Sequence, residues 1–362
     1  GGVGNDTLSG GGEPDTLNGG AGVDSVSGDA GADRIEVTSN EAESDTMTGG
    51  ADLDELFFLA GGGAVVLSGF DVATTSLESI QANNQALMGN AAANTFNFTA
   101  VQLLQLSHVD AAGGNDIVQG SAGNDIIFGG DGDDNLTGAA GADQIDGGNG
   151  TDSVYGGGGD DSVGGGSGND YVEGNDGNDV LMVRGSEAIF DTMLGGANTD
   201  RILNTGGSSI TMASISGISM QIEIWDNAGF ALLGTNAANL FDLRLDLTGT
   251  TTFQMLNTPN INLLGGNDTV YGTNYDDFLI GGLGNDSLYG LTGNDTQKSA
   301  SSDVTITVGA PDGTTPVVTC GAELTGAQIT KPTAFKGSVF GGAWRVELAL
   351  GDEETFDPKE LR

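Results

Sequence analysis

From Ala111 to Met182 the chain keeps one register for 72 residues, as eight consecutive nonapeptides with an aspartate sixth in each. Those aspartates are Asp116, Asp125, Asp134, Asp143, Asp152, Asp161, Asp170 and Asp179. Well-formed copies read GSAGNDIIF (120–128), GGNGTDSVY (147–155) and GGSGNDYVE (165–173). They fit G-G-x-G-x-D-x-U-x, where U is a large apolar residue. Nine residues cannot bury a core alone, so the repeats must stack. The period predicts an all-β fold, a right-handed parallel β-roll/β-helix solenoid. GGxGxD makes a turn that needs positive φ and close backbone approach, which glycine allows. The next three residues make a short strand with U pointing inward. Two repeats complete a coil, so repeats n and n+2 lie on the same side. Ile127, Leu136, Ile145, Val154, Val163, Val172 and Leu181 fill the U position without a gap. A flexible Gly/Asp-rich linker has no need of that regularity.

More copies flank the block. GGVGNDTLS (1–9), GGGEPDTLN (10–18), GGAGVDSVS (19–27) and GDAGADRIE (28–36) carry Asp6, Asp15, Asp24 and Asp33, with Glu13 replacing a glycine. Leu263–Lys298 carries Asp268, Asp277, Asp286 and Asp295. Isolated copies at Gly49–Phe57 and Gly195–Leu203 add Asp54 and Asp200. On these motifs the chain resembles the haemolysin-type calcium-binding repeat (repeats-in-toxin) family, as a surface-layer-like or adhesin-like member. The resemblance implies calcium ions held between stacked turns. Carboxylates and turn carbonyls are the hard oxygen donors that Ca²⁺ prefers, so all of these aspartates are candidate metal ligands. Stacking then gives on the order of ten ions, at six to eight oxygens each.

The net charge of −41, from 51 acidic and 10 basic residues, repels the compact state. About ten dications would cancel roughly half of it, which couples binding to folding. Sites of the roughly 10⁻⁴–10⁻³ M class fill outside cells. The expected location is therefore extracellular, at a bacterial cell surface. With no basic patch, nucleic acid is excluded as a partner. The one cysteine, Cys320, excludes an internal disulfide framework. No apolar run approaches the ~20 residues of a spanning helix. Gly1 opens inside a repeat, so the reading expects a fragment or processed product with a domain upstream.

Between the repeat blocks, DTMTGGADLD (45–54) pairs with DTMLGGANTD (191–200), and IQANNQALMGNAAANTFNF (80–98) with IWDNAGFALLGTNAANLFDL (224–243). This is a tandem duplication. Its strand-like pieces predict solenoid coils with longer turns that bury Ile, Leu and Phe, with Asn94 and Asn239 making internal side-chain hydrogen bonds. The expected organisation is calcium repeats at 1–57, long-turn coils at 58–110, and the central β-roll at 111–182. A second set of long-turn coils follows at 183–262, then calcium repeats at 263–298. The composition shifts in 299–362, which reads as a cap, an assembly segment, or (by the resemblance) an uncleaved signal for type I secretion.

No catalytic constellation is found. The single histidine, His108, excludes an HExxH zinc site, and no G-x-S-x-G elbow occurs. The Asp133–Asp134 and Asp160–Asp161 pairs could suggest glycosidase acids, but one member of each already sits in the repeat register. Two function classes remain. One is a non-enzymatic surface-layer or cell-surface matrix subunit. It would be exported by type I secretion, self-associate into a lattice or filament, and could contact surface polysaccharide. The other is the calcium-binding export and folding module of a larger secreted enzyme or toxin.

Overall fold

The computed structural model describes residues 1–38, 44–60, 63–184, 191–216, 220–244, 254–256, 258, 260–291 and 293–298, with short strands at 305–308, 339–340 and 343–346. Contacts divide the chain into two units: Gly1–Val183 with Asp191–Asp200, and Arg184–Phe190 with Arg201–Arg362. A four-residue helix, Val72–Thr75, interrupts the strands. The fold is a parallel β-solenoid.

In the first unit the central strands alternate between two parallel sheets. One runs through Ile126–Asp131, Gln144–Gly150, Ser162–Gly168 and Val180–Val183. The other runs through Ile117–Gln119, Asn135–Ala140, Ser153–Gly158, Tyr171–Asp176 and Thr192–Ala197. The register is that of repeats n and n+2: Ile127 pairs Ile145, which pairs Val163, which pairs Leu181. Val118, Leu136, Val154 and Val172 form the matching row on the other sheet. Every one of these U residues is buried. A two-sided coil is thin, so one side chain per repeat fills it.

Residues 58–110 make wider coils. A third sheet, through Thr16–Leu17, Arg34–Val37, Glu55–Phe58, Ser79–Gln81 and Gln102–Leu104, adds a third strand to each coil here. The side chains explain the widening. Phe70 stacks on Phe98 at 5.5 Å and Phe96 on Phe98 at 6.2 Å, beside buried Leu67, Leu77, Ile80 and Leu87. Rings of that size need a broader interior than Val or Leu. The long-turn coils thus bury Ile, Leu and Phe as the sequence predicts.

The strands of the second unit lie on three faces. Arg201–Asn204, Ile224–Asp226 and Gln254–Leu256 form one face; Ile210–Thr211, Leu232–Leu233, Ile261–Asn262, Phe278–Ile280 and Thr296–Lys298 form another. The third runs through Ser214–Ser216, Leu240–Asp242, Thr269–Tyr271, Ser287–Tyr289 and Thr305–Val308. Buried Phe241 and Leu243 stand where the first copy has Phe96 and Phe98, and Trp225 is fully buried. After Thr305–Val308 the pairing turns antiparallel, to Ala343–Val346 and Val339–Phe340. The rest of 299–362, and so the choice among cap, signal and assembly segment, lies outside the described residues.

Packing along the U rows sets a first expectation. Leu136 is fully buried between Val118 and Val154. Leu136→Ala is expected to destabilise the first unit by about 2–5 kcal/mol, read from urea melts with calcium held at saturation. A change below about 0.5 kcal/mol would contradict a packed row.

Candidate metal centre: the aspartate ladders

The turns are built to bring oxygen inward. Positions 2 and 4 of most repeats have positive φ, as at Gly148 (108°) and Gly150 (146°). A Cβ added to Gly148 would collide with the carbonyl oxygen of Gly130, one coil below. Turns therefore nest at backbone contact. The aspartate at position 6 then points into the coil, where Asp116, Asp152, Asp161 and Asp179 are each 1% exposed.

Within each ladder an aspartate carboxylate receives a hydrogen bond from the coil before it. The Asp116 N–H donates to Asp134 Oδ1 at 2.8 Å, Asp134 to Asp152 at 2.8 Å, and Asp152 to Asp170 at 2.9 Å. On the other side Asp125 donates to Asp143 at 2.8 Å, Asp143 to Asp161 at 2.7 Å, and Asp161 to Asp179 at 2.8 Å. The ladders continue from Asp170 to Asp191 and from Asp179 to Asp200. In the N-terminal block they join Asp6, Asp24 and Asp45, and Asp15, Asp33 and Asp54, ending at Glu78 Oε2. In the second unit Asp268 is joined to Asp286 and Asp277 to Asp295. All the aspartates predicted from sequence stand in these ladders.

The sequence reading missed Asp45, Asp191 and Glu78 as ladder members. Asp45 and Asp191 sit at a 21-residue step instead of 18, so the nine-residue period does not find them. Their signal is Asp-Thr-Met, with Met47 and Met193 buried as U residues. Asn94 and Asn239 take the aspartate's place at the foot of a ladder, donating their backbone N–H to Asp116 and Asp268. Their Nδ2 groups donate to the carbonyls of Ser68 (2.9 Å) and Ala213 (2.8 Å), the internal side-chain bonds expected of them.

The second carboxylate oxygen carries the chemistry. Oδ2 of Asp24, Asp33, Asp54, Asp116, Asp134, Asp143, Asp152, Asp161, Asp179 and Asp268 is buried without a hydrogen-bond donor. It faces the first residue of its own turn, beside a carbonyl of the next coil. A Cβ on Gly156, for example, would meet Asp161 Oδ2 at 2.5 Å and the Gly174 carbonyl at 2.6 Å. Two oxygens thus converge where no proton donor reaches them. Burying an anionic oxygen this way is costly. Among the described residues no three His, Cys, Asp or Glu side chains converge, so the oxygen set is carboxylate plus main-chain carbonyl. Such a set suits a hard cation, and these residues fit calcium.

The protonation energetics agree. Burial pushes the Asp152 and Asp161 carboxyls up to about 7, helped by neighbouring aspartates. Burial likewise pushes Asp116, Asp143 and Asp268 up to about 6. Asp54, Asp134 and Asp179 are raised by the same cause. Without a cation, compaction favours the protonated acids.

The other candidate groups are engaged elsewhere. Asp133 accepts the Thr151 N–H and Asp160 the Asn178 N–H, so both members of each Asp–Asp pair bond between coils. The His108 ring lies edge-on to Phe128 at 5.5 Å, with Ser107 Oγ 2.8 Å from its Nδ1.

Among the described residues no helix is long and apolar enough to cross a membrane. A search of curated proteins finds no match. A scan against protein families matches the RTX calcium-binding nonapeptide repeat in four copies, at residues 1–35, 110–145, 146–181 and 264–297. Each matched stretch lies on the ladders just described. Across these four stretches the chain carries the calcium-binding nonapeptide repeat of the haemolysin-type, or RTX, family.

Proposed function

We propose that the chain is a calcium-dependent, extracellular structural protein: a surface-layer or cell-surface matrix subunit, exported by type I secretion and assembled outside the cell. The observation that carries this reading is the length and continuity of the ladders. Nearly every coil of the repeat blocks turns a carboxylate inward, so calcium here serves the whole scaffold and no single reaction centre. Position-6 aspartates and turn carbonyls would hold the ions, on the order of ten by the stacking rule. Bound calcium supplies positive charge between coils, which offsets the net charge of −41. The protein residues do the rest: Oδ1 fixes the coil spacing through the Asp N–H bonds, and the U rows exclude water. We read the chain as non-enzymatic, because the Asp133–Asp134 and Asp160–Asp161 pairs that could act as acid and base are held in the ladders or in bonds between turns.

Electron microscopy of the purified chain in millimolar calcium, and again in chelator, tests the proposal. Ordered sheets or filaments that vanish on chelation are expected. Dispersed single particles under all calcium conditions would overturn the structural role. They would favour the second reading, a calcium-dependent folding module of a larger secreted enzyme or toxin.

A further inference from the structure

Four turns depart from the calcium geometry, and they depart in the same way. They are GNAAAN (89–94), GSAGND (120–125), GTNAAN (234–239) and GTNYDD (272–277). In the other repeats position 2 has positive φ, even where it is Ala139 (80°), Asn175 (75°) or Leu264 (64°). The exception is the turn opening at Gly1, whose Gly2 N–H also donates to Asp6 Oδ2 (2.9 Å) but which has no side chain at position 2 to complete the closure. Asn90, Ser121, Thr235 and Thr273 are absent from that left-handed set. Their backbone N–H groups turn inward instead. They donate to Asn94 Oδ1 (2.9 Å), Asp125 Oδ2 (2.7 Å), Asn239 Oδ1 (3.0 Å) and Asp277 Oδ2 (2.7 Å).

The side chain at position 2 completes the closure. Ser121 Oγ donates to Asp125 Oδ1 at 3.2 Å and Oδ2 at 3.0 Å, and Thr273 Oγ1 donates to Asp277 Oδ1 at 3.0 Å. Asn94 Nδ2 donates to Asn90 Oδ1 (3.3 Å) and Asn239 Nδ2 to Thr235 Oγ1 (2.9 Å). The same position-2 oxygen accepts the N–H of position 4 in all four turns. The oxygen that stands without a donor in the ladders above is therefore satisfied by protein here. Each of these turns begins a ladder, and both copies of the duplication have the pair.

We propose that these four turns are self-sealed ends of the calcium columns. Asn90, Ser121, Thr235 and Thr273 supply by N–H and side chain what the cation supplies elsewhere, and no ion lodges between these turns and the coils above them. Asp125 and Asp277 are then structural acceptors and not calcium ligands, although they lie in matched repeats. This inference rests on the calcium reading of the other ladder aspartates. It also sets register, since binding starts one coil up from each seal.

Equilibrium dialysis of the full chain against radioactive calcium, at a concentration that saturates it, tests the proposal. Circular dichroism checks that each variant folds. Asp143→Asn is expected to lower the bound ions by about one, whereas Asp125→Asn leaves the number unchanged. Ser121→Gly, which restores GGxGxD, is expected to raise it by about one. Thr273→Gly, which removes the closing hydroxyl while leaving Tyr275 at position 4, is expected to do the same. Loss of an ion in Asp125→Asn equal to that in Asp143→Asn, or no gain in either glycine variant, would overturn the sealed-end assignment while leaving the calcium reading intact. Absence of bound calcium in the unaltered chain would sink both.

Discussion

Chelation of calcium at pH 7.5 is expected to abolish the β-sheet circular dichroism of the repeat blocks, and restoring millimolar calcium to recover it. The ladders set buried carboxylates one coil apart, with oxygens that have no donor. Compaction with those groups ionised must overcome both desolvation and mutual repulsion. Acid provides a second route to the same neutralisation, and its sign is fixed by the direction of the shifts. Burial raises Asp152 and Asp161 from 3.8 to about 7 and Asp116 and Asp143 to about 6. The metal-free fold therefore binds more protons than the unfolded chain between about pH 4 and 7. Its stability is fully present below the unfolded value and is lost as pH rises through 6 to 7. The β signal in chelator should thus grow as pH falls from 7.5 to 5, while calcium affinity weakens over the same interval because protons compete for the same oxygens. A spectrum unchanged by chelator at pH 7.5 would refute coupled folding. A metal-free signal that rose with pH would refute the ladder electrostatics.

The second large effect is expected from Asp143→Ala combined with Asp161→Ala. Asp143 accepts the Asp125 N–H and Asp161 the Asp143 N–H, so the double variant leaves two buried donors unmet. Each orphan costs about 1–3 kcal/mol. Each lost ion removes a further ~2.7 kcal/mol at a hundredfold its dissociation constant. The combined loss approaches the stability of an ordinary domain. Limited proteolysis in calcium should then cut within 111–182, and calcium stoichiometry should fall. Retained protease resistance with unchanged stoichiometry would show that the two residues do not share a column.

The central block was readable because nothing interrupts its nine-residue step. Eighteen-residue pairing of Ile127 with Ile145 and of Leu136 with Val154 follows directly from that period. Asp45 and Asp191 escaped because three additional residues enter the coil before them, which shifts the count while preserving the contact. Glu78 escaped because its longer side chain reaches the Asp54 N–H from a different backbone position. Third strands in the long-turn coils have no period at all, and the stacked Phe70, Phe96 and Phe98 reveal them only once packed. The sealed turns were the least visible. GSAGNDIIF looks like a strong calcium repeat by composition, and the difference lies in one hydroxyl and in the backbone angle at Ser121, which no spacing encodes.

The ladder also has a direction. An aspartate carboxylate accepts the N–H of the coil before it, while the oxygen beside its other carboxylate atom comes from the coil after it, as the Gly174 carbonyl does for Asp161. A coil at a growing end is thus always half furnished: it can dock, but its cage for an ion waits for the next eighteen residues. Construction of this scaffold is a look-ahead process in which each course of the wall is mortared only when the following course is laid.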